Sequence, residues 1–213
     1  MGVMTDSKGH QEAKAAGEKP ARGPIIISRH GRPALDRTAG PKLTWEEYVE
    51  WWHRYEAGSL ADDQIVPNKL IEAVADVDLV LSSARPRAIE TAQRATQGRD
   101  PQSDPLFNEA PLPPPRLKSR TYLPKTWNVL ARMAWLGGHA LDGENVSEAR
   151  ARAGDAARRL HEVAEGRTVY LAAHGWFNRM LRRPLIKLGW VCVRDGGDKY
   201  WSYRVYEYRG KDE

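Results

Sequence analysis

Cysteine occurs once in this 213-residue sequence, as Cys192. A lone thiol excludes an internal disulfide and offers no thiolate cluster for a metal, so Cys192 reads as a small buried hydrophobe. Long apolar runs are missing as well. No segment approaches the roughly 18 apolar residues that a membrane-spanning helix needs, and the first residues lack the apolar core of a secretory signal. A soluble, cytoplasmic protein with no membrane partner is therefore expected. There is no internal repeat, and His10, His53, His139 and His161 have no metal-ligand spacing, so no metal is expected. Residues 1–23 carry Lys, Glu, Gly and Ala, with no aromatic residue and no apolar run after Val3. Such a stretch cannot offset the entropy of ordering, which predicts a disordered N-terminal tail on one domain spanning 24–213.

What is present points to a single core and a cationic site. Hydrophobic residues make up 41%, with 8 Trp and 8 Tyr. The 33 Lys and Arg exceed the 28 Asp and Glu, giving a net charge of +5. The arginines are scattered rather than gathered in a basic run, which favours a small anionic ligand over nucleic acid. The chain is organised around Ile25-Ile26-Ile27-Ser28-Arg29-His30-Gly31, an apolar run ending abruptly in Arg-His-Gly. A second run, Thr168-Val169-Tyr170-Leu171-Ala172-Ala173, also ends in His-Gly, at His174-Gly175. Two strands can present both histidines at one edge of a sheet despite their separation in sequence.

Between these runs, helical signals alternate with short strands. Thr44-Trp45-Glu46-Glu47 is a capping box and predicts a helix to about Ala57, with its aromatic stripe packed into the core. Further helices are predicted over 67–76, 86–97, 126–136, 144–164 and 177–188, the last broken or kinked at Pro184. Residues 78–82 read as a strand, 105–109 as a short strand, and 200–208 as an aromatic edge strand able to pair with a second copy. The arginines at 150, 152, 158 and 159 read as a solvated helix face, and 195–199 as a plain turn. Alternating strands and helices predict an α/β fold, a three-layer α/β/α sandwich on a mostly parallel sheet.

The chemistry-bearing set is Arg29, His30, Arg87 and His174. A neutral imidazole is a competent nucleophile near neutral pH, and arginines bind phosphate bidentately without losing charge. Arg87 falls in the first turn of a predicted helix, where free N–H groups already favour an anion. A second histidine, protonated, would donate to the same phosphate oxygens. Glu109 is the best-placed acid for a leaving alcohol. Taken alone, each histidine is more often structural; the paired motifs favour catalysis.

At these residues the sequence resembles the histidine phosphatase superfamily, the phosphoglycerate mutase-like proteins of branch 1. Arg29-His30-Gly31 is similar to the family's Arg-His-Gly after the first strand. Ser83-Ala84-Arg85-Pro86-Arg87-Ala88-Ile89-Glu90-Thr91-Ala92 resembles its Ser-x-x-x-Arg-Ala-x-x-Thr-Ala segment. His174-Gly175 resembles the late His-Gly, and Gly143-Glu144-Asn145 its Gly-Glu-Ser. The resemblance covers roughly residues 24–188. It implies a phosphoglycerate mutase-like fold and a covalent phosphohistidine on His30, with Arg29, Arg87 and His174 as the phosphate pocket. Glu109 becomes proton donor and then base, and neither metal nor cofactor is implied. Mutases of the family carry Glu after Arg-His-Gly, where this chain has Arg32, and the residues after Glu109 also depart from the mutase pattern. Hydrolysis of a small phosphorylated substrate is the simpler reading, with Arg32 a candidate substrate contact. A mutase, a phosphoprotein phosphatase, or a silent scaffold holding a phospholigand are the alternatives.

Overall fold

A computed structural model describes residues 21–140 and 143–210, and the tail expected over 1–20 lies outside the described residues. Ala21 to Gly23, assigned to that tail, are instead tied down. Gly23 N–H donates to the Ala164 carbonyl at 3.0 Å, and Arg22 donates to the His161 carbonyl at 3.1 Å.

In chain order the elements are β1 (Ile25–Arg29), α1 (Trp45–Ala57), α2 (Asn68–Val74), β2 (Leu79–Ser82), α3 (Pro86–Ala95), β3 (Gln102–Ser103), α4 (Pro124–Leu136), α5 (Val146–Val163), β4 (Val169–Ala173), α6 (Gly175–Lys187), β5 (Trp190–Asp195) and β6 (Tyr203–Tyr208). They form one sheet of order β3-β2-β4-β1-β6-β5, parallel from β3 to β1 and antiparallel from there to β5. The expected α/β/α sandwich is present. Successive side chains of a strand point to opposite faces, and in β1 Ile25 and Ile27 join the core under α5 and α6 while Ile26 joins the core under α2 and α3. Strands covered on both faces are mainly apolar, which is why β1 opens as Ile25-Ile26-Ile27 and β4 reads as an apolar run; the buried Ser28 hydroxyl of β1 is paired with the Tyr170 hydroxyl of β4 at 2.9 Å.

Helix α1 starts at the predicted capping box, with Thr44 and Glu47 bonded to each other's backbone N–H. Its aromatic residues do pack as core: Tyr48 stacks on Trp127 of α4 at 5.5 Å, and Trp51 on Tyr55 at 5.1 Å. The pair α1–α4 thus forms a separate aromatic cluster beside the sandwich.

Four expectations are corrected. Pro105–Phe107 is a 3-10 turn, because Asp104 caps it and proline fixes its first φ; the strand precedes it at Gln102–Ser103. The C-terminal strand β6 lies inside the sheet between β1 and β5, so β5 occupies the edge. Pro184 does not break α6, which continues to Lys187; in the last turn only one intrahelical bond is forfeited. Arg152 is not solvated. It pairs with Glu144 at 2.7 Å and donates to the carbonyls of Leu106 and Asn108, which fixes the approach to Glu109. Glu144 is therefore an ion-pair partner, while Asn145 and Glu148 form the cap of α5. Among the described residues no helix is long and apolar enough to cross a membrane.

Candidate active site

Parallel pairing of β1 and β4 puts Arg29 opposite Ala173, so the two strands release His30 and His174 side by side. His30 N–H donates to the Ala173 carbonyl at 2.9 Å, and the two imidazole centroids are 5.1 Å apart. His30 Nδ1 lies 2.7 Å from the Gly31 carbonyl. A carbonyl only accepts, so Nδ1 carries the proton and Nε2 keeps the lone pair. Burial, and then the positive charge of Arg87 and Arg29, hold the imidazole well below its usual pKa of 6.5. His30 is a neutral, oriented base.

Gly31 is required by contact. A Cβ there would lie 2.4 Å from the Trp201 indole, and Trp201 itself takes a left-handed φ of 63°. Its indole N–H donates to Gln64 at 2.8 Å, which also accepts from the Arg32 backbone N–H.

His174 is the N-cap residue of α6 and is fully buried, with Nε2 2.6 Å from Ser83 Oγ. Burial, with Arg87 next, also lowers its pKa well below 6.5. The sequence reading has this histidine protonated when it donates to a phosphate; in the ligand-free site burial and the arginines disfavour its charged form. Gly175 lets Arg29 pass close by, since a Cβ there would meet Arg29 Nε at 3.2 Å.

Two arginines approach from opposite supports. Arg29 donates to the Asp198 carbonyl at 2.5 Å and lies 4.3 Å over the Tyr200 ring. Arg87, 1% exposed, sends one terminal nitrogen to the carbonyls of Tyr55 and Glu56 and the other to the Glu56 carboxylate at 2.6 Å. Both carbonyls lie in the last turn of α1, where the Gly58 N–H also donates to the Tyr55 carbonyl at 3.3 Å. The second Glu56 oxygen pairs with Arg85 at 2.9 Å. Arg29 Nε, Arg87 Nε and His174 Nδ1 remain buried without a partner among the described residues.

Glu109 sits at the N-terminus of α6. Its Oε2 accepts from Trp176 N–H at 3.1 Å, and its Oε1 accepts from the N–H groups of Phe177 and Ala110. Oε2 therefore has a lone-pair direction left over. Arg132 holds the next segment, donating to the carbonyls of Ala110 and Pro111 between the rings of Trp135 and Trp176.

A cavity of about 650 Å³ has Arg29, Glu109, Gly175, Arg37 and Arg132 among its walls. It thus opens onto the immediate neighbours of both histidines. A cavity of about 740 Å³ between α5 and α6 shares only Arg179 with it and touches none of the histidine-site residues. Arg32 does not line the site. It is half exposed and paired with Asp63 at 2.5 Å, while Arg37, five residues on, reaches the wall and donates to the Tyr200 hydroxyl at 2.9 Å. Asp198 and Tyr200, in the stretch read as a turn and the start of a strand, carry Arg29; Glu56 carries Arg87. No spacing rule marks such supports, because they act across the chain through backbone carbonyls and ring faces.

Comparison with known proteins identifies the family and the fold. The sequence profile of the histidine phosphatase superfamily (branch 1) matches residues 68–212, a span that includes Arg87, Glu109 and His174 and begins after β1. No curated protein matches the sequence. Among solved structures, a mutant phosphoserine phosphatase from Entamoeba histolytica in complex with phosphoserine superposes with a TM-score of 0.52 at 16% identity, over 78% of this chain and 80% of that one. Mycobacterial glucosyl-3-phosphoglycerate phosphatase complexed with VO3 gives 0.52 at 20%, over 90% and 98%. The product of an open reading frame of Mycobacterium tuberculosis gives 0.56 at 18%, over 89% and 94%. These likenesses establish a shared fold.

Proposed function

The chain belongs to the histidine phosphatase superfamily, branch 1, and on that premise we propose that it hydrolyses phosphomonoesters through a covalent phosphohistidine on His30. The observation that carries the proposal is the fixed tautomer of His30: Nδ1 is committed to the Gly31 carbonyl, and the buried ring is neutral. Nε2 is then a nucleophile whose lone pair needs no prior deprotonation.

In the first step the Nε2 lone pair forms a bond to phosphorus while the bond to the ester oxygen breaks. The departing oxygen takes a proton from Glu109. Arg29, Arg87 and His174 supply the nitrogens without partners that meet the phosphoryl oxygens, so charge spread over those oxygens meets donors already in place. In the second step Glu109, now a carboxylate, takes a proton from water as the water oxygen bonds to phosphorus. The P–N bond breaks and Nε2 recovers its lone pair. A bound phosphate dianion also supplies the negative charge that His174 lacks, and raises the pKa values of both histidines toward the ordinary range.

The test is phosphate release from 4-nitrophenyl phosphate with EDTA present. Wild-type activity that survives chelation and disappears in His30→Ala supports the proposal; equal release by both proteins overturns it.

A further inference from the structure

Among the described residues seven large hydrophobic side chains are exposed, and three belong to one face of α4: Val129 at 58%, Met133 at 64% and Leu136 at 43%. Their spacing of four and then three residues places them in one row about 10 Å long. The opposite face of α4 is buried through Trp127, Ala131 and Trp135, so the helix has packed one side and left a second apolar side uncovered. All three exposed residues, together with Leu112, line the same cavity as Arg29 and Glu109. A row of large apolar side chains kept in water marks a surface that something covers. Here it continues the wall that holds Arg29 and Glu109, and the cavity's volume of about 650 Å³ far exceeds a phosphate group and matches a drug-sized ligand.

We infer that the substrates are phosphomonoesters with a large apolar leaving group, alkyl or aryl, which lies along Val129, Met133 and Leu136 while the phosphoryl end meets the arginines. This rests on the phosphatase reading for its chemistry, though not for its binding physics. The cavity's charges agree with an anionic head and an apolar body. The cavity's walls combine Arg29, Arg37, Arg132 and Glu109 with Val129, Met133 and Leu136, and Lys125, one turn before Val129 on the same face of α4, brings a positive charge to the start of the row. A compact polar ester such as phosphoserine would leave that face wet.

The test measures the affinity of n-alkylphosphonates, methyl to octyl, by titration calorimetry; they present a phosphate-like head that cannot be hydrolysed. Affinity should rise about twofold to fourfold per methylene, the upper figure being full burial of a CH₂, and the double variant Met133→Gln, Leu136→Gln should flatten the rise. Both positions are exposed, so the variant should keep its thermal midpoint, checked by calorimetric unfolding. Affinity that is flat along the wild-type series, or absent throughout, overturns the inference. So does a wild-type dimer, seen by sedimentation, that the double variant converts to monomer with no change in chain-length dependence, since the row would then belong to a second copy. Hydrolysis of 4-nitrophenyl phosphate is scored separately. Graded affinity without hydrolysis would remove the phosphatase reading and leave the apolar wall standing; hydrolysis with flat affinity would do the reverse.

Discussion

The two strand ends carry nearly the same sequence signal and meet very different fates. His30 follows β1 and leads into a segment outside any helix or strand, where its Nδ1 finds the Gly31 carbonyl and its Nε2 is left with a lone pair. His174 follows β4 and becomes the N-cap of α6, with its Nε2 taken by Ser83. Both are buried among the same arginines and both are neutral without a ligand. On the proposed mechanism the two histidines separate by the nitrogen each has engaged, Nδ1 of His30 on the Gly31 carbonyl and Nε2 of His174 on Ser83. A His-Gly after an apolar run locates a site; the engaged nitrogen assigns the role.

The comparison can be broken by mutation. The account expects His30→Ala to lower kcat by about 10⁴-fold or more, as loss of a nucleophile does, and His174→Ala by about 10²–10³-fold, the scale of one lost donor to a transition-state oxygen. Steady-state kinetics on an aryl phosphate measures both, and equal losses would erase the distinction. Next in size is the support of Arg87. Glu56→Gln keeps the shape of the side chain but removes the charge that pairs with both Arg85 and Arg87, so kcat/KM should fall by about tenfold, with much of the loss in KM. The smallest effect concerns stability. Both histidines are held below the usual 6.5, so between their folded-state values and 6.5 the unfolded chain binds more protons and the fold loses stability as pH falls. The thermal midpoint of the ligand-free protein should drop as pH is lowered from 7 through 6.5 and below, and a saturating phosphate analogue should reduce that dependence by supplying the missing negative charge. A midpoint that rises over the same interval would contradict the buried, neutral pair.

The fold was legible where burial leaves a period in the sequence. β1 and β4 are covered on both faces, so they announce themselves as apolar runs, and α1 and α5 carry capping boxes that their first turns use. β3 has two exposed residues and β5 mostly exposed ones, so neither leaves a pattern that separates it from a loop. In the site, the groups at strand and helix ends could be read directly: His30, Arg29, Arg87 and His174. Their supports could not. Tyr200 and Asp198 reach Arg29 from 169 or more positions away, and Glu56 reaches Arg87 from an aromatic helix whose periodicity reports only its packing. Arg32 and Arg37 are alike in sequence, and only the tertiary path of the loop sends one to Asp63 and the other to the cavity.

The central claim is that phosphate is carried on His30 and not on His174. It is tested most directly by mixing the enzyme with an aryl phosphate, quenching in base, which preserves phosphohistidine, and mapping the adduct by peptide mass spectrometry. The account predicts an acid-labile phosphate on the peptide containing His30, absent from His30→Ala and retained in reduced amount in His174→Ala. An adduct on the peptide containing His174, or turnover with no adduct on either histidine, would contradict it.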